Sequence, residues 1–323
     1  MRLRHDPQRL DRLKQPADFG AVAVLLGGGS SEREISLLSG NAVLAALKRR
    51  GIDAQGFDPA QRPLADLLSL KIERVWIALH GPGGEDGSVQ GALEFLGVPY
   101  TGSGVLGSAI GMDKLRSKRL AQAAGVPTPE FVVLESAQDL DLALTRLGLP
   151  LIVKPGSQGS SVGMARIEQA QDLPQAWNNA RRIDPVVFAE TWITGAEYTV
   201  GMLQGQPLPS IRIETPRSFY DYEAKYLRDD TRYFCPSGLP APAEGELAKL
   251  ALASLEACGA EGWGRADFMM DGAGKPQLLE INTVPGMTDH SLVPMAARTA
   301  GIDFDELVWR VLETSLVRTR IDT

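Results

Sequence analysis

Six consecutive apolar residues, Ala21 to Leu26, stop at Gly27, Gly28 and Gly29, and apolar positions then resume with helical spacing from about Ile35 to Arg49. A short apolar run closed by turn residues reads as a buried strand, and the spacing after it as an amphipathic helix. The same alternation continues through strand-like stretches at 53 to 58 and 74 to 79, the latter running through RVWIALH into GPGGEDGS and a helical stretch near 88 to 96. Strands alternating with helices predict a parallel sheet over residues 20 to about 115.

From Asp113 the helix-like DKLRSKRLAQAAG ends at Gly125, and Pro127 and Pro129 then break the chain at an expected hinge. Beyond it come the apolar strand LPLIVK, the loop GSQGSSVG, a second strand, a helix over about 168 to 182 and a strand ending at Glu190. Residues 195 to 213 read as two strands linked by Gln204, Gly205 and Gln206. The chain closes with a helix over about 243 to 257, a hairpin over 262 to 282 and two helices after 291.

Between these, residues 214 to 238 show neither period, and loops of that length in compact domains are functional or disordered. Four of the six tyrosines lie there, with Phe219 and Phe234, whereas disordered segments are poor in aromatics. The segment is therefore expected to cover an active site.

With 323 residues the chain exceeds what one core usually supports, so two or three packed units with a cleft between them are expected. A content of 44% apolar and 23% charged residues excludes disorder and fibrous repeats. The net charge of −7 argues against nucleic acid as a partner, which requires clustered Lys and Arg. No run of eighteen apolar residues occurs, so no membrane helix is expected, and residues 1 to 19 lack the apolar centre of a signal peptide. The expected location is the cytoplasm, with residues 1 to 19 a loosely attached extension. Cys235 and Cys258 share no metal-type spacing and read as idle thiols.

Chemistry concentrates first in the hairpin. Around the turn DGAGKP, pairing Met270 with Gln277 would set Asp267 opposite Glu280, with Asn282 on the same face. Facing like charges want a cation, and oxygen donors from Asp, Glu and Asn suit Mg²⁺. The competing account is a solvated sheet face on which the carboxylates pair with Arg265 or Lys275. Elsewhere, Lys154 ends an apolar strand ahead of the loop holding Gly156, Gly159, Ser160, Ser161 and Gly163, whose N–H groups could cradle phosphate. It is not a Walker loop and could be a plain turn. Ser31 and Glu34 have the spacing of a helix capping box, which leaves Glu32 over. Glu32 and His80 both fall at the carboxyl edge of the parallel sheet, where such sheets bind ligands, although each could be an ordinary hydrogen-bonded residue. GGGSSER lacks the G-x-G-x-x-G spacing, which argues against a nicotinamide dehydrogenase.

Taken together, LLGGGSSEREISL, ALHGPGGEDGSVQGALE, PYTGSG, MDKLRSK, KPGSQGSSVG, FYDYEAKY, GWGRADFM and LEINTVPGMTDHSLVPMAA resemble the signatures of D-alanine:D-alanine ligases, in order, from about residue 20 to 317. The resemblance implies an α/β and α+β chain with the ATP-grasp fold. A Rossmann-like parallel domain (20 to 115) would stand before a central subdomain (116 to 205) and a C-terminal one (206 to 323) whose loop 214 to 238 is the lid.

It also implies ATP as co-substrate, two Mg²⁺ ions that Mn²⁺ could replace, and a homodimer. Lys114 and Lys154 would hold phosphates, with Ser160 and Ser161 in the phosphate loop. Glu190, Trp192, Ile193 and Glu197 would line the adenine and ribose pocket, and Asp267, Glu280 and Asn282 would bind the metal ions. The first D-alanine would meet Glu32 and His80, with Ser160 and Tyr226 bonded to Glu32. Lys225 would reach the γ-phosphate, Ser291 the second D-alanine's carboxylate, and Arg265 with the Gly286 N–H the oxyanion. Tyr226 favours a dipeptide product, whereas D-alanine:D-lactate ligases often carry Phe there. Gly29, Ser157, Gln158 and Val284 depart from the common family pattern without removing any implied ligand.

Overall fold

The computed structural model describes residues 2–6, 15–159, 162–215 and 230–321. Strand β1 (Arg2–His5) pairs antiparallel with the last strand of the chain, Arg318–Ile321, with Arg2 opposite Ile321. The expectation of a loosely attached start is thereby corrected for these residues. His5 Nε2 also lies 2.9 Å from Glu261 Oε2.

Strands β2 (Val22–Leu25), β3 (Ala54–Phe57) and β4 (Arg74–Ile77) make a parallel sheet in the order β3-β2-β4. Every residue of β2 is buried, as a central parallel strand covered on both faces requires. The helix after it runs Arg33–Arg49 with Glu32 as its N-cap and no side-chain cap, so the predicted Ser31/Glu34 capping box does not form. Another bond takes over the anchoring. Ser36 Oγ accepts from Gly27 N at 2.9 Å and donates to the Ala78 carbonyl at 2.7 Å, tying the glycine turn to the end of β4. Gly27 has φ +79°, and a Cβ there would lie 2.8 Å from both the Arg33 guanidinium and the Asp58 carboxylate. Only glycine fits a turn this close to that ion pair.

A second sheet holds β5 (Phe131–Val133), β6 (Leu151–Pro155), β7 (Ala165–Ile167) and β8 (Val187–Thr191), all antiparallel, in the order β5-β8-β6-β7. The helix expected over 168 to 182 is Leu173–Arg181, preceded by a 3₁₀ turn at Ala170–Asp172. The helix Ala137–Leu147 and strand β5 have no counterpart in the sequence reading.

The third sheet contains β9 (Glu197–Leu203), β10 (Gln206–Pro207), β11 (Ile211–Glu214), β12 (Arg232–Phe234), β13 (Trp263–Met270) and β14 (Pro276–Asn282). The turn at Gln204 and Gly205 falls where expected, but its return strand splits into β10 and β11. Pro207 and Pro209 supply no N–H to the ladder. Strand β12 pairs with β11, Glu214 opposite Arg232, so part of the segment read as lacking a period is strand. Residues 216 to 229, the middle of the expected cover, lie outside the described residues.

Buried side chains form three clusters. The largest joins the parallel sheet to the C-terminal helices Leu292–Thr299 and Phe304–Glu313. Trp76 of β4 lies 5.4 Å from Trp263 of β13, and Phe19 packs edge-on against Trp309 at 4.9 Å. These contacts set the carboxyl edge of the first sheet facing the β13–β14 hairpin. Among the described residues no helix is long and apolar enough to cross a membrane.

Ser36→Ala would leave a buried N–H and a buried carbonyl without their side-chain partner. It should lower unfolding stability by about 1–3 kcal/mol. Urea denaturation reads this directly, and an unchanged midpoint would show that Ser36 does not anchor the turn.

Candidate active site

The hairpin sets the geometry. Asp267 lies opposite Glu280 and Arg265 opposite Asn282, but Met270 pairs with Pro276 and not with Gln277. One extra residue, Leu279, enters between Glu280 and Leu278, whose partner is Phe268. The irregularity has a local cause, because Leu278 N donates to the Pro127 carbonyl at 2.8 Å, outside the hairpin. The bulge buries Leu278 and puts Leu279 on the wall of a large cavity.

Each facing carboxylate is neutralised by a cation. Arg265 donates from Nε and Nη2 to the two oxygens of Asp267, both at 2.8 Å, and Thr199 Oγ1 donates to the same carboxylate at 2.6 Å. Lys114 Nζ lies 2.8 Å from Glu280 Oε2. The Arg265 pairing expected of an ordinary ion pair is therefore present, but both partners are buried, not solvated. Burial works against the Lys114 charge, yet Glu280, with Glu85 and Glu32 beyond it, outweighs that and holds its pKa above the ordinary lysine value.

Two cavities meet at the Lys114–Glu280 pair, which lines both. The larger encloses about 540 Å³. Ile152, Met164, Trp192, Ile193, Met269 and Leu279 give it an apolar end, and Lys114, Lys154, Glu190, Glu197 and Asp267 supply charge. Arg166 stacks over the Trp192 ring at 4.8 Å. Glu214 and Thr215 stand on its rim, where the described chain stops before residue 216. Lys154 reaches Glu190 Oε1 at 3.1 Å, while Lys118, fully buried, lies 3.0 Å from Oε2 and donates to the Leu278 carbonyl at 2.9 Å. Burial lowers the Lys118 pKa to about 8, with Glu190 opposing the shift and Lys154 adding to it. It still carries its proton at neutral pH.

The smaller cavity, about 50 Å³, is lined by Glu32, His80, Lys114, Arg265, Glu280, Asn282 and Gly286, together with Glu85 and Gly159. His80 is held by Glu85 at Nδ1 (3.3 Å) and by Ser39 at Nε2 (3.2 Å), and its carbonyl accepts from Ser30 Oγ at 2.6 Å. Ser39 also accepts from Met287 N at 3.1 Å, which couples the first sheet to the loop carrying Gly286. Ser291 is the N-cap of helix Leu292–Thr299, but its Oγ turns back to accept from Thr288 N at 2.9 Å. A Cβ on Gly286 would sit 2.8 Å from that Oγ, so the two residues adjoin.

Thirteen of the site candidates line these cavities, and Ser291 lies beside Gly286 without lining either. Ser160, Ser161, Lys225 and Tyr226 lie outside the described residues. Glu85, Lys118 and Arg166 were not singled out by sequence reading. Lys118 could have been, since a lysine at helical spacing from Lys114 falls on the same helix face. Cys235 is half-buried and Cys258 buried, with burial raising the Cys258 thiol to about 11, so neither offers a ready thiolate. Among the described residues no three His, Cys, Asp or Glu side chains converge as metal ligands. The expected donor set is two carboxylates and one amide. Asn282 Oδ1 accepts from Val284 N at 2.9 Å, which orients that amide.

Comparison with known proteins accounts for this arrangement. A family model described as D-ala D-ala ligase C-terminus matches residues 120–313, and one described as D-ala D-ala ligase N-terminus matches residues 53–103. The D-alanine--D-alanine ligase of Methylococcus capsulatus is 56% identical over 304 residues, 94% of this chain and 98% of its own. That of Alkalilimnicola ehrlichii is 57% identical over 299 residues, 93% of this chain and 96% of its own. The crystal structure of the Bacillus anthracis D-alanine--D-alanine ligase complexed with ATP superposes with a TM-score of 0.80 at 34% identity, covering 92% of this chain and 97% of that one. With an ATP-grasp fold and matches of this identity and extent, the chain belongs to the D-alanine--D-alanine ligase family.

Proposed function

We propose that this chain uses ATP to join two D-alanine molecules into D-alanyl-D-alanine for peptidoglycan precursor synthesis, releasing ADP and phosphate. The observation that carries the reading is the shared wall. A cavity of about 540 Å³ with an apolar end and two lysines abuts, at Lys114 and Glu280, a second chamber lined by Glu32, His80, Arg265 and Gly286. A phosphoryl group held on the first side can be handed to a carboxylate held on the second.

In this reading ATP occupies the larger cavity, its base among Glu190, Trp192, Ile193 and Glu197 and its phosphates on Lys114, Lys154 and the loop with Ser160 and Ser161. The first D-alanine enters the smaller chamber with its ammonium toward Glu32, a carboxylate whose surroundings include His80. Its own carboxylate takes the γ-phosphoryl group, because a free carboxylate has no adequate leaving group. The amine of the second D-alanine, whose carboxylate is assigned to Ser291, then attacks the carbonyl of the acyl phosphate. Arg265, held on two sides by Asp267, and the Gly286 N–H stabilise the oxyanion, and phosphate leaves. Glu32, Ser160 and Tyr226 form the network that orients the amine, and Lys225 reaches the γ-phosphate.

The donors at Asp267, Glu280 and Asn282 fit Mg²⁺ in chemistry: hard oxygens, two of them facing carboxylates that already attract two protein cations. Bound there, Mg²⁺ would supply charge neutralisation for the phosphate oxygens. An acyl phosphate hydrolyses in water, so residues 214 to 238 are assigned as the cover. The domain division at 20, 116 and 206, a homodimer, and a place in the cytoplasm where ATP is made complete the reading.

Phosphate release from Mg²⁺–ATP should require D-alanine and not occur with L-alanine, and mass spectrometry should identify the dipeptide; silence with D-alanine would refute the reaction. Loss of an outer-shell metal partner costs about 10–100-fold, so Glu280→Gln, which removes a ligand charge, should lower turnover by more than about 100-fold while the protein stays folded. Near-normal turnover of that variant at millimolar magnesium would remove the metal assignment.

A further inference from the structure

The proposed mechanism leaves Lys118, a buried cation beside the larger cavity, without a task. Lys118 stands behind the wall of the larger cavity, fully buried on helix Lys114–Ala123, and its side chain ends at Glu190 Oε2 (3.0 Å) and the Leu278 carbonyl (2.9 Å). Lys154, which does line the cavity, meets the other oxygen of the same carboxylate at 3.1 Å. Glu190 is 1% exposed, on the central strand pair of its sheet, and still contributes to the cavity lining beside Thr191, Trp192 and Ile193. One carboxylate therefore stands between two ammonium groups from two different elements, hydrogen-bonded to Lys154 at Oε1 and held at Oε2 by the charge of Lys118 without a hydrogen bond.

Removing an ammonium from water is costly, and one cation would already neutralise Glu190. The second does something the first cannot. Lys154 faces the cavity, where an anionic ligand would compete for it. Lys118 is out of reach of any ligand and holds Glu190 whatever Lys154 does. An ionised carboxylate is an acceptor only. Beside a purine it welcomes an exocyclic amino group and repels a carbonyl oxygen at the same position.

We propose that Lys118 is a positioning residue for nucleotide selection: it holds Glu190 as a fixed acceptor at the base end of the larger cavity, so that a 6-amino purine is taken and a 6-oxo purine refused. The proposal rests on the reading of that cavity as the nucleotide site. Without Lys118, the buried carboxylate is left with Lys154 alone, and once phosphate draws that lysine away no cation on the buried side fixes its orientation. A carboxylate free to turn away from the base no longer tells an amino group from a carbonyl oxygen, and discrimination is lost.

The test is calorimetric binding of Mg²⁺–ATP and Mg²⁺–ITP to the full chain, as wild type, Lys118→Met, Glu190→Gln and the double variant. Sites built to hydrogen-bond a polar group can reject an analogue by about 10⁴–10⁵; here the wild type should prefer ATP by at least about 100-fold. Lys118→Met should cut that preference about tenfold or more, chiefly by weakening ATP, and should add little to Glu190→Gln, since residues acting through one another are not additive. Equal weakening of ATP and ITP, or additive losses in the double variant, would mean that Lys118 only supports the fold, and overturns the proposal. A wild type that does not discriminate, or a Glu190→Gln variant that discriminates as well as wild type, instead overturns it by removing Glu190 from the base end. Should Lys118→Met fail to fold, Lys118→Gln keeps a neutral donor at the site and carries the same expectation.

Discussion

Two carboxylates face each other across adjacent strands, Asp267 against Glu280, the first buried and the second partly exposed. Like charges in direct opposition raise the energy of the sheet unless cations intervene. Arg265 and Lys114 intervene, and they arrive from different parts of the chain, one on the same strand as Asp267 and one at the start of helix Lys114–Ala123. Neutralising this pair of charges ties the first α/β unit, its connecting helix and the C-terminal sheet to one point. The same charges make the point a natural seat for a metal–phosphate group, because the anionic oxygens that attract protein cations also attract metal ions.

Rigid packing gives that point its precision. The tryptophans Trp76 and Trp263, in the core shared by the first sheet and the C-terminal helices, hold β4 and β13 together. Ser39 spans the gap a second time by bonding His80 and the Met287 N–H, so the edge of the parallel sheet and the loop bearing Gly286 are fixed relative to each other. Groups from five chain segments far apart in sequence consequently share a chamber of about 50 Å³. Preorganised donors of this kind lower a barrier because their dipoles need not reorient as charge develops.

The second charged cluster, Lys118, Glu190 and Lys154, works on different terms. It is buried more deeply, and burial lowers the Lys118 pKa to about 8. A core built for stability alone would replace such a group with an apolar side chain. Its presence behind the apolar end of the larger cavity makes sense when the orientation of one carboxylate matters more than the stability lost in fixing it.

Much of this could be read from the chain alone. Periodicity located β2, β3, β4 and the helices Arg33–Arg49 and Ala241–Ala257 to within a few residues, and two helices after residue 291 without their bounds, because strands and helices that bury one side must repeat their apolar positions. The opposition of Asp267 and Glu280 is read from a pairing of Met270 with Gln277; the structure keeps the opposition but moves the register at the turn by one, the extra Leu279 making up the difference. Strand β5, three residues long, is too brief to show a period, whereas the helix Ala137–Leu147 escaped despite its Ser136–Asp139 capping box; the capping box at Ser31 was overridden when Ser36 and Ser30 took up the local hydrogen bonds. Sequence by itself determined the elements, their order and the residue types able to hold ATP and an amino acid. Tertiary structure alone decided the hairpin bulge, which answers to an N–H bond from Leu278 to distant Pro127, and which lysine pairs with which carboxylate. Both depend on groups many residues apart coming within hydrogen-bond distance, and local pattern carries no record of such distances.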